Sequence, residues 1–318
     1  MTEVGRLDDG DYRSGFARWD ERSWVRAKPR RGAEFEPGKH FFSPDLCVPL
    51  AHPRVLAAPR GVREALLVHN LYIYLEFTVR LEMGPVNETC ALLHSPAFLP
   101  WLPPGMKADA LRIYTDEAGH AEMSNTLLAA VHEATGIAPI AHEPAFLGDL
   151  RRLYAAEPPV YRPLLKMFFT VVSETLITGS LTKLPKDPSV QRAVREVAQD
   201  HATDEGLHHA YFRRLFDLLW PRLPIPLRRK IGVLLPVITN AFLRPDEAAL
   251  RAALHDVRFP DADRVAAESV ALPAVRAAVA DNAAPTIRML CRGGVFEDPV
   301  VREAFRAAGL PTELAGRS

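Results

Sequence analysis

The sequence predicts an all-α protein: a bundle of four long helices, an irregular N-terminal arm before it and further helices behind it. Three observations predict this. From Val62 onward, apolar residues recur at helical spacing over long segments. Almost no stretch alternates apolar and polar residues as a half-buried strand does. The string Thr-Asp-Glu-x-x-His is written twice, at 115–120 and at 203–208, each time within helical periodicity.

The elements follow in chain order. Residues 1–60 are rich in proline, glycine, arginine and aromatics without sustained periodicity, and read as an arm with one short extended piece at 46–50. The basic cluster at 26–31, Arg-Ala-Lys-Pro-Arg-Arg, reads as a solvated part of that arm. A first helix is expected over 62–94, kinked or broken at Gly84-Pro85. A proline-rich connection leads to a second helix over 107–135, which Gly136 stops. A short helix near 147–155 and a strongly apolar helix over 161–183 come next. Asp187-Pro188, a cap followed by proline, opens a helix reaching Leu219. The chain thus divides into an irregular arm expected to pack on the bundle (1–60), the four-helix bundle (61–222) and a helical extension of the same domain (223–318).

Composition narrows the function. The 39 basic residues balance 39 acidic ones, so no global field draws the chain to nucleic acid or to an acidic membrane surface. Cys47, Cys90 and Cys291 form no CxxC pair and no disulfide framework, as suits a reducing compartment. The first residues lack the apolar segment of a secretion signal. The greasiest stretch, 231–243, contains Pro236, Thr239 and Asn240, and falls short of the roughly 20 apolar residues that a bilayer span needs. A soluble, cytoplasmic protein is expected.

The repeated motif carries the chemistry. Positions i and i+3 share a helix face, so Glu117 with His120, and Glu205 with His208, can each grip one cation. Carboxylate plus imidazole suits iron, manganese or zinc, and bridging carboxylates favour two ions. Dinuclear sites in helical bundles combine two Glu-x-x-His helices with a lone glutamate from each of two others. The third helix offers Glu174, the only acidic residue between 161 and 186. Burying a carboxylate without a partner costs roughly several kcal/mol, so a buried Glu174 needs a cation, a proton or a polar outlet. The first helix offers Glu76, Glu82 and Glu88. Counting back from the turn, as in an antiparallel hairpin, selects Glu82, with Glu88 the alternative if Gly84-Pro85 shifts the register.

Neighbouring residues extend the pattern. His201, four before Glu205, shares its face and is either a third ligand from that helix or a hydrogen-bonding neighbour. Asp116 and Asp204 precede the chelating glutamates, where each can orient the histidine of the opposite copy. His209 points about 100° away from His208, and His69, His94, His132, His142 and His255 lack partners at ligand spacing.

The doubled Asp-Glu-x-x-His resembles the ferritin-like di-iron carboxylate superfamily. With His201, in HATDEGLH, residues 62–219 resemble the p-aminobenzoate N-oxygenase family of di-iron arylamine oxygenases, which carries a third histidine one turn before the second Glu-x-x-His. The resemblance implies metal-ligand roles for Glu82, Glu117, His120, Glu174, His201, Glu205 and His208. It implies two iron ions, with manganese the other candidate. Its partners would be O2, a small amine and an external electron donor such as a reductase or ferredoxin; a homodimer is a further expectation. The reaction would be oxygen transfer to an amine nitrogen through a diferric-peroxo species, towards hydroxylamine, nitroso and nitro products. Family substrates often bear a carboxylate; Arg288 and Arg292 are the candidates to meet it, against a simpler reading as solvated helix charges. Gly119 and Gly206, inside the two motifs, are consistent with a roomy site.

Other readings share the first ligands: a C-hydroxylase, desaturase, ferroxidase or radical-generating subunit, or a non-catalytic metal-binding helical protein. A radical subunit would place a tyrosine about one turn after the first motif's histidine, where Ser124 stands. The zinc-hydrolase signature HExxH is absent.

Overall fold

The computed structural model describes residues 12–176 and 179–313. The first helical segment runs as α1 (Arg60–Leu81), breaks, and resumes as α2 (Asn87–His94). The break, Glu82–Val86, is a π-type turn in which Gly84 leaves helical dihedrals (φ −98°, ψ −106°). Pro85 has no N–H for the ladder, so the chain gives up regular helix there at little further cost. Glu82, the first residue of this turn, is 3% exposed. Glu88 lies on the outside and pairs with Lys166.

The second helix, α3 (Pro104–Thr135), starts with proline in its first turn and ends at Gly136. That glycine is left-handed (φ 68°), and its N–H closes on the His132 carbonyl at 2.9 Å. A shorter α4 (Ala145–Ala156) leads to α5 (Arg162–Thr175) and α6 (Arg192–Leu219). Helices α3 and α6 pack on each other, α1 and α2 lie along α3, and α5 lies along α6.

Three expectations about elements are corrected. The apolar helix over 161–183 is two pieces: α5 stops one residue after Glu174, Leu176 is extended (φ −82°, ψ 131°), and a separate turn covers Gly179–Lys183. Helix α6 begins at Arg192, not at Pro188, because the preceding residues bond to the arm instead. His40 N–H donates to Ser189 O (2.9 Å), Gln191 N–H donates to His40 O (2.8 Å), and Asp187 accepts from Ser189 and Ser43. Finally, 46–50 is not extended. Prolines 44 and 49 sit in the first turns of two 3-10 turns, Pro44–Leu46 and Val48–Ala51. Among the described residues, β pairing is confined to the isolated bridge between His40 and Val190.

Behind the bundle come α7 (Ile225–Leu243), α8 (Glu247–Asp256), α9 (Ala262–Ala271), α10 (Pro273–Arg292) and α11 (Pro299–Ala307). They pack back onto the long helices. Helix α7 lies on α5 and α11, and Gly232 makes the latter contact possible, since a Cβ there would meet Val301 at 2.5 Å. His69 of α1 bonds Asp256 at the end of α8 (2.9 Å). No helix among the described residues is long and apolar enough to cross a membrane.

The apolar core comes in two halves. One contains Leu81, Ile113, Phe169 and Tyr211; the other contains Leu75, Met123, Val197 and Ala198. On α3, Glu117 and His120 fall between Ile113 and Met123. On α6, His201, Glu205 and His208 fall between Ala198 and Tyr211. A polar layer therefore crosses the centre of the bundle, with hydrocarbon on both sides.

The basic cluster of the arm is only partly solvated. Lys28 Nζ and Arg31 Nε each lie 2.7 Å from Asp200, whose side chain is 2% exposed. The rest follows expectation more closely: Arg26 and Arg30 pair at the surface with Asp20 and Glu122.

Candidate metal centre

All four segments deliver an acid or imidazole to the polar layer: Glu82 from the π-type turn, Glu117 and His120 from α3, Glu174 from the last turn of α5, and His201, Glu205 and His208 from α6. These form two groups, Glu82–His120–His201–Glu205 and Glu117–Glu174–Glu205–His208, and within each group the ligand atoms lie within 4.8 Å of one another. Glu205 belongs to both. Its Oε1 is 3.1 Å from His201 Nε2, 3.4 Å from His208 Nδ1 and 3.8 Å from His120 Nδ1.

Some atoms in this layer bond one another, as His120 Nδ1 with Glu117 Oε2 at 3.2 Å and His201 Nε2 with Glu205 Oε1 at 3.1 Å, but others converge unsatisfied. His208 Nδ1 and Glu117 Oε1 are 3.1 Å apart, yet neither makes an aligned hydrogen bond. Glu82 Oε2 and Glu174 Oε2 are likewise buried without a hydrogen-bond partner among the described residues. Buried polar atoms are nearly always bonded, so four such atoms facing shared points are the pattern of ligands aimed at cations. The charge agrees: four carboxylates among these ligands supply the −4 that two divalent ions balance. The donor set, oxygen with imidazole nitrogen, fits iron or manganese.

The protonation of the protein by itself tells the same story. Burial, with Glu205 and Glu117 beside it, holds the Glu174 carboxyl well above the usual range. Its position at the C-terminal end of α5 adds the negative end of the helix dipole. Burial pushes Glu82 up to about 7. Burial is also the largest single influence on Glu117 and Glu205, but the histidines together outweigh it, His208 with His120 on Glu117 and His208 with His201 on Glu205, so that Glu117 is lowered and Glu205 lies well below the ordinary value. For the imidazoles, burial opposes charge and the acids reverse it. His120 reaches about 9, while His201 and His208 stand well above the ordinary value.

Each histidine of a repeated motif turns one nitrogen to the layer and the other to an aspartate of the opposite copy. His120 Nε2 donates to Asp204 and His208 Nε2 donates to Asp116, both at 3.2 Å. His201 presents Nε2 to Glu82 at 3.0 Å. His209 is half-buried and belongs to neither group. Arg288 and Arg292 are exposed. Glu88 is outside the layer, and Ser124, where a radical subunit would carry tyrosine, is buried. The three cysteines are free. Cys90 is pushed up by burial and by nearby Glu117 and Glu174.

Gly119 does not make the site roomy. A Cβ there would lie 3.1 Å from Val25 Cγ2, so this glycine admits the N-terminal arm. Gly206 has nothing within 4 Å of such a Cβ.

The family model for P-aminobenzoate N-oxygenase AurF matches residues 16–294. The chain belongs to the AurF family. The match embraces all seven converging residues and most of the arm and C-terminal helices of this AurF-family chain. It is also 24% identical over 222 residues to the 4-aminobenzoate N-oxygenase of Streptomyces thioluteus. That similarity covers 69% of this chain and 66% of the relative, just under two thirds of the relative's length.

The arm has no part in the site expected from local pattern, yet in this AurF-family protein its Trp24–Ala27 turn packs on both α3 and α6. Spacing held a signal: Phe16, Trp19, Ser23 and Trp24 stand at i, i+3, i+7 and i+8, the periodicity of one helical face.

Proposed function

We propose that this chain is an O2-dependent di-iron oxygenase that transfers oxygen to the nitrogen of a small amine, aryl amines foremost. The observation that carries this reading is the pair of four-residue groups sharing Glu205, every member but the part-buried Glu205 being buried at the centre of the bundle, in a chain of the AurF family. Glu82, His120, His201 and Glu205 would hold one ion; Glu117, Glu174, Glu205 and His208 would hold the other. Iron, when bound, supplies the binding and reductive activation of O2; manganese is the alternative metal.

The protein's own share is ligation and shielding. Apolar side chains above and below the layer, among them Leu75, Leu81, Ile113 and Met123, keep bulk water from it. Glu205 spans both groups and so couples their positions. The balance of the first step is R–NH2 + O2 + 2 electrons + 2 protons giving R–NHOH + H2O, with an external reductase or ferredoxin as electron source. Further rounds lead to nitroso and nitro products.

The experiment is metal analysis after iron-replete expression, followed by turnover of an aryl amine under labelled O2 with a chemical reductant. About two iron atoms per chain and one labelled oxygen on nitrogen in the hydroxylamine are expected. Label on carbon would replace this reading with a C-hydroxylase. A protein holding neither iron nor manganese would remove both.

A further inference from the structure

The arm supplies what the duplicated aspartates need in order to act. Asp116 is 1% exposed and carries three donors at once. Trp19 Nε1 donates to its two oxygens at 2.8 and 2.9 Å, Ser23 Oγ donates to Oδ1 at 2.5 Å, and His208 Nε2 donates to Oδ2 at 3.2 Å. An indole N–H can only donate, so Trp19 requires an acceptor and holds Asp116 as one. His208 then keeps its N–H at Nε2, so that Nδ1, which faces Glu117 and Glu205, is the nitrogen that gives up its proton when a metal ion binds. The Phe16 ring stacks on the same imidazole, with centroids 6.2 Å apart and planes 18° from parallel. The second copy is held by backbone instead: Trp24 N–H donates to Asp204 Oδ2 at 3.1 Å, and Asp204 takes the His120 Nε2 proton. Gly119, by lacking a Cβ, lets this segment come down on α3.

We propose that residues 16–24 of the arm are positioning elements of the metal centre, with Trp19 and Ser23 acting through Asp116 to fix the tautomer and ring plane of His208. The proposal rests on the reading of His208 as a metal ligand. Trp19 and Ser23 touch neither ion nor substrate. Their effect is on how tightly, and in what geometry, the ion held by Glu117, Glu174, Glu205 and His208 is bound. Losing such an outer hydrogen bond weakens metal binding by about 10–100-fold.

The test uses Co2+ as a spectroscopic probe on the chelator-stripped full chain, with far-ultraviolet circular dichroism to follow helicity. His208→Ala is the control for the underlying reading. If the wild type takes up two Co2+ and His208→Ala takes up one, ligation stands. If His208→Ala still takes up two, ligation and the proposal fall together. With ligation standing, Ser23→Ala and Trp19→Phe are expected to weaken one of the two ions by about 10-fold or more and to move its visible absorption. Ser23→Thr, which keeps the hydroxyl, is expected to restore both. Tyr12→Phe removes a different arm contact, the 2.7 Å bond to Asp109, and is expected to change neither. Unchanged affinity and spectrum in both Ser23→Ala and Trp19→Phe would overturn the proposal. So would an equal loss in Tyr12→Phe, which would assign the effect to arm packing in general. Ser23→Ala removes one oxygen atom and keeps the test decisive if the larger Trp19 change disturbs the fold.

Discussion

Asp204, from the second copy of the motif, accepts the Nε2 proton of His120, from the first copy, at 3.2 Å. Asp116 does the same for His208 in the other direction, at the same distance. The repeat is thus used crosswise: each helix offers its own glutamate and histidine to the polar layer and steadies the histidine of its neighbour.

The crosswise pairing predicts separable losses. Asp204→Asn should weaken the ion of the Glu82–His120–His201–Glu205 group, and Asp116→Asn the ion of the other group, each by about 10–100-fold. An amide can offer N–H where the carboxylate only accepts, which favours the wrong tautomer. Competitive chelator titration should show one strong and one weakened site in each variant. Two equally weakened sites in either variant would contradict the assignment.

Glu82 and Glu88 should part company. Glu82→Gln is expected to cost one of the two metal equivalents, read by elemental analysis, because its buried oxygen has no other partner. Glu88 is half-exposed and pairs with Lys166 at the surface. Its replacement by Gln should leave metal content intact and shift stability by about 0–1 kcal/mol.

The two motif glycines make a matched pair for thermal unfolding. Gly206 sits in an exposed helix interior with open space around it, so Gly206→Ala should stabilise by up to about 1 kcal/mol. Gly119→Ala gains the same helix propensity but drives a methyl against Val25 at 3.1 Å, which displaces the arm. Overpacking of this kind costs about 1–3 kcal/mol. The melting temperature of Gly119→Ala should therefore lie below that of Gly206→Ala.

A pH series separates fold from metal. His120, raised to about 9, stabilises the chelator-stripped protein fully below its ordinary value near 6.5, and that contribution is lost as pH rises through 9. Glu82, raised to about 7, acts in the same direction, since burial favours its neutral form. Glu117 and Glu205 are lowered, so their contributions are complete above the ordinary carboxylate range and stay constant from pH 6 to 9. The stripped protein should melt at a lower temperature at pH 9 than at pH 6. Metal binding must expel these protons, so affinity should rise over the same interval. Calorimetry in buffers of different ionisation enthalpy should detect the released protons.

Local pattern alone determined much about this protein. Helical periodicity gave the long helices, Gly136 their stop, and the doubled Glu-x-x-His its chelating face, because each depends on residues within one or two turns of each other. Glu174 stood out for the same reason, as a lone acid on an apolar helix. Tertiary structure decided the rest. Whether Glu82 or Glu88 faces inward hung on the π-type turn at Gly84-Pro85, which changes helical phase in a way that residue counting does not resolve. The start of α6 was set by hydrogen bonds to His40, far away in sequence. The arm's part was not legible in local pattern because only Trp19 and Trp24 lie in helix, each in a single turn, while Phe16 and Ser23 lie outside those turns, and all four gain their meaning from residues roughly ninety and more positions away. Short-range geometry is written in neighbouring residues; the pairing of distant segments is settled only when buried donors and acceptors must find each other.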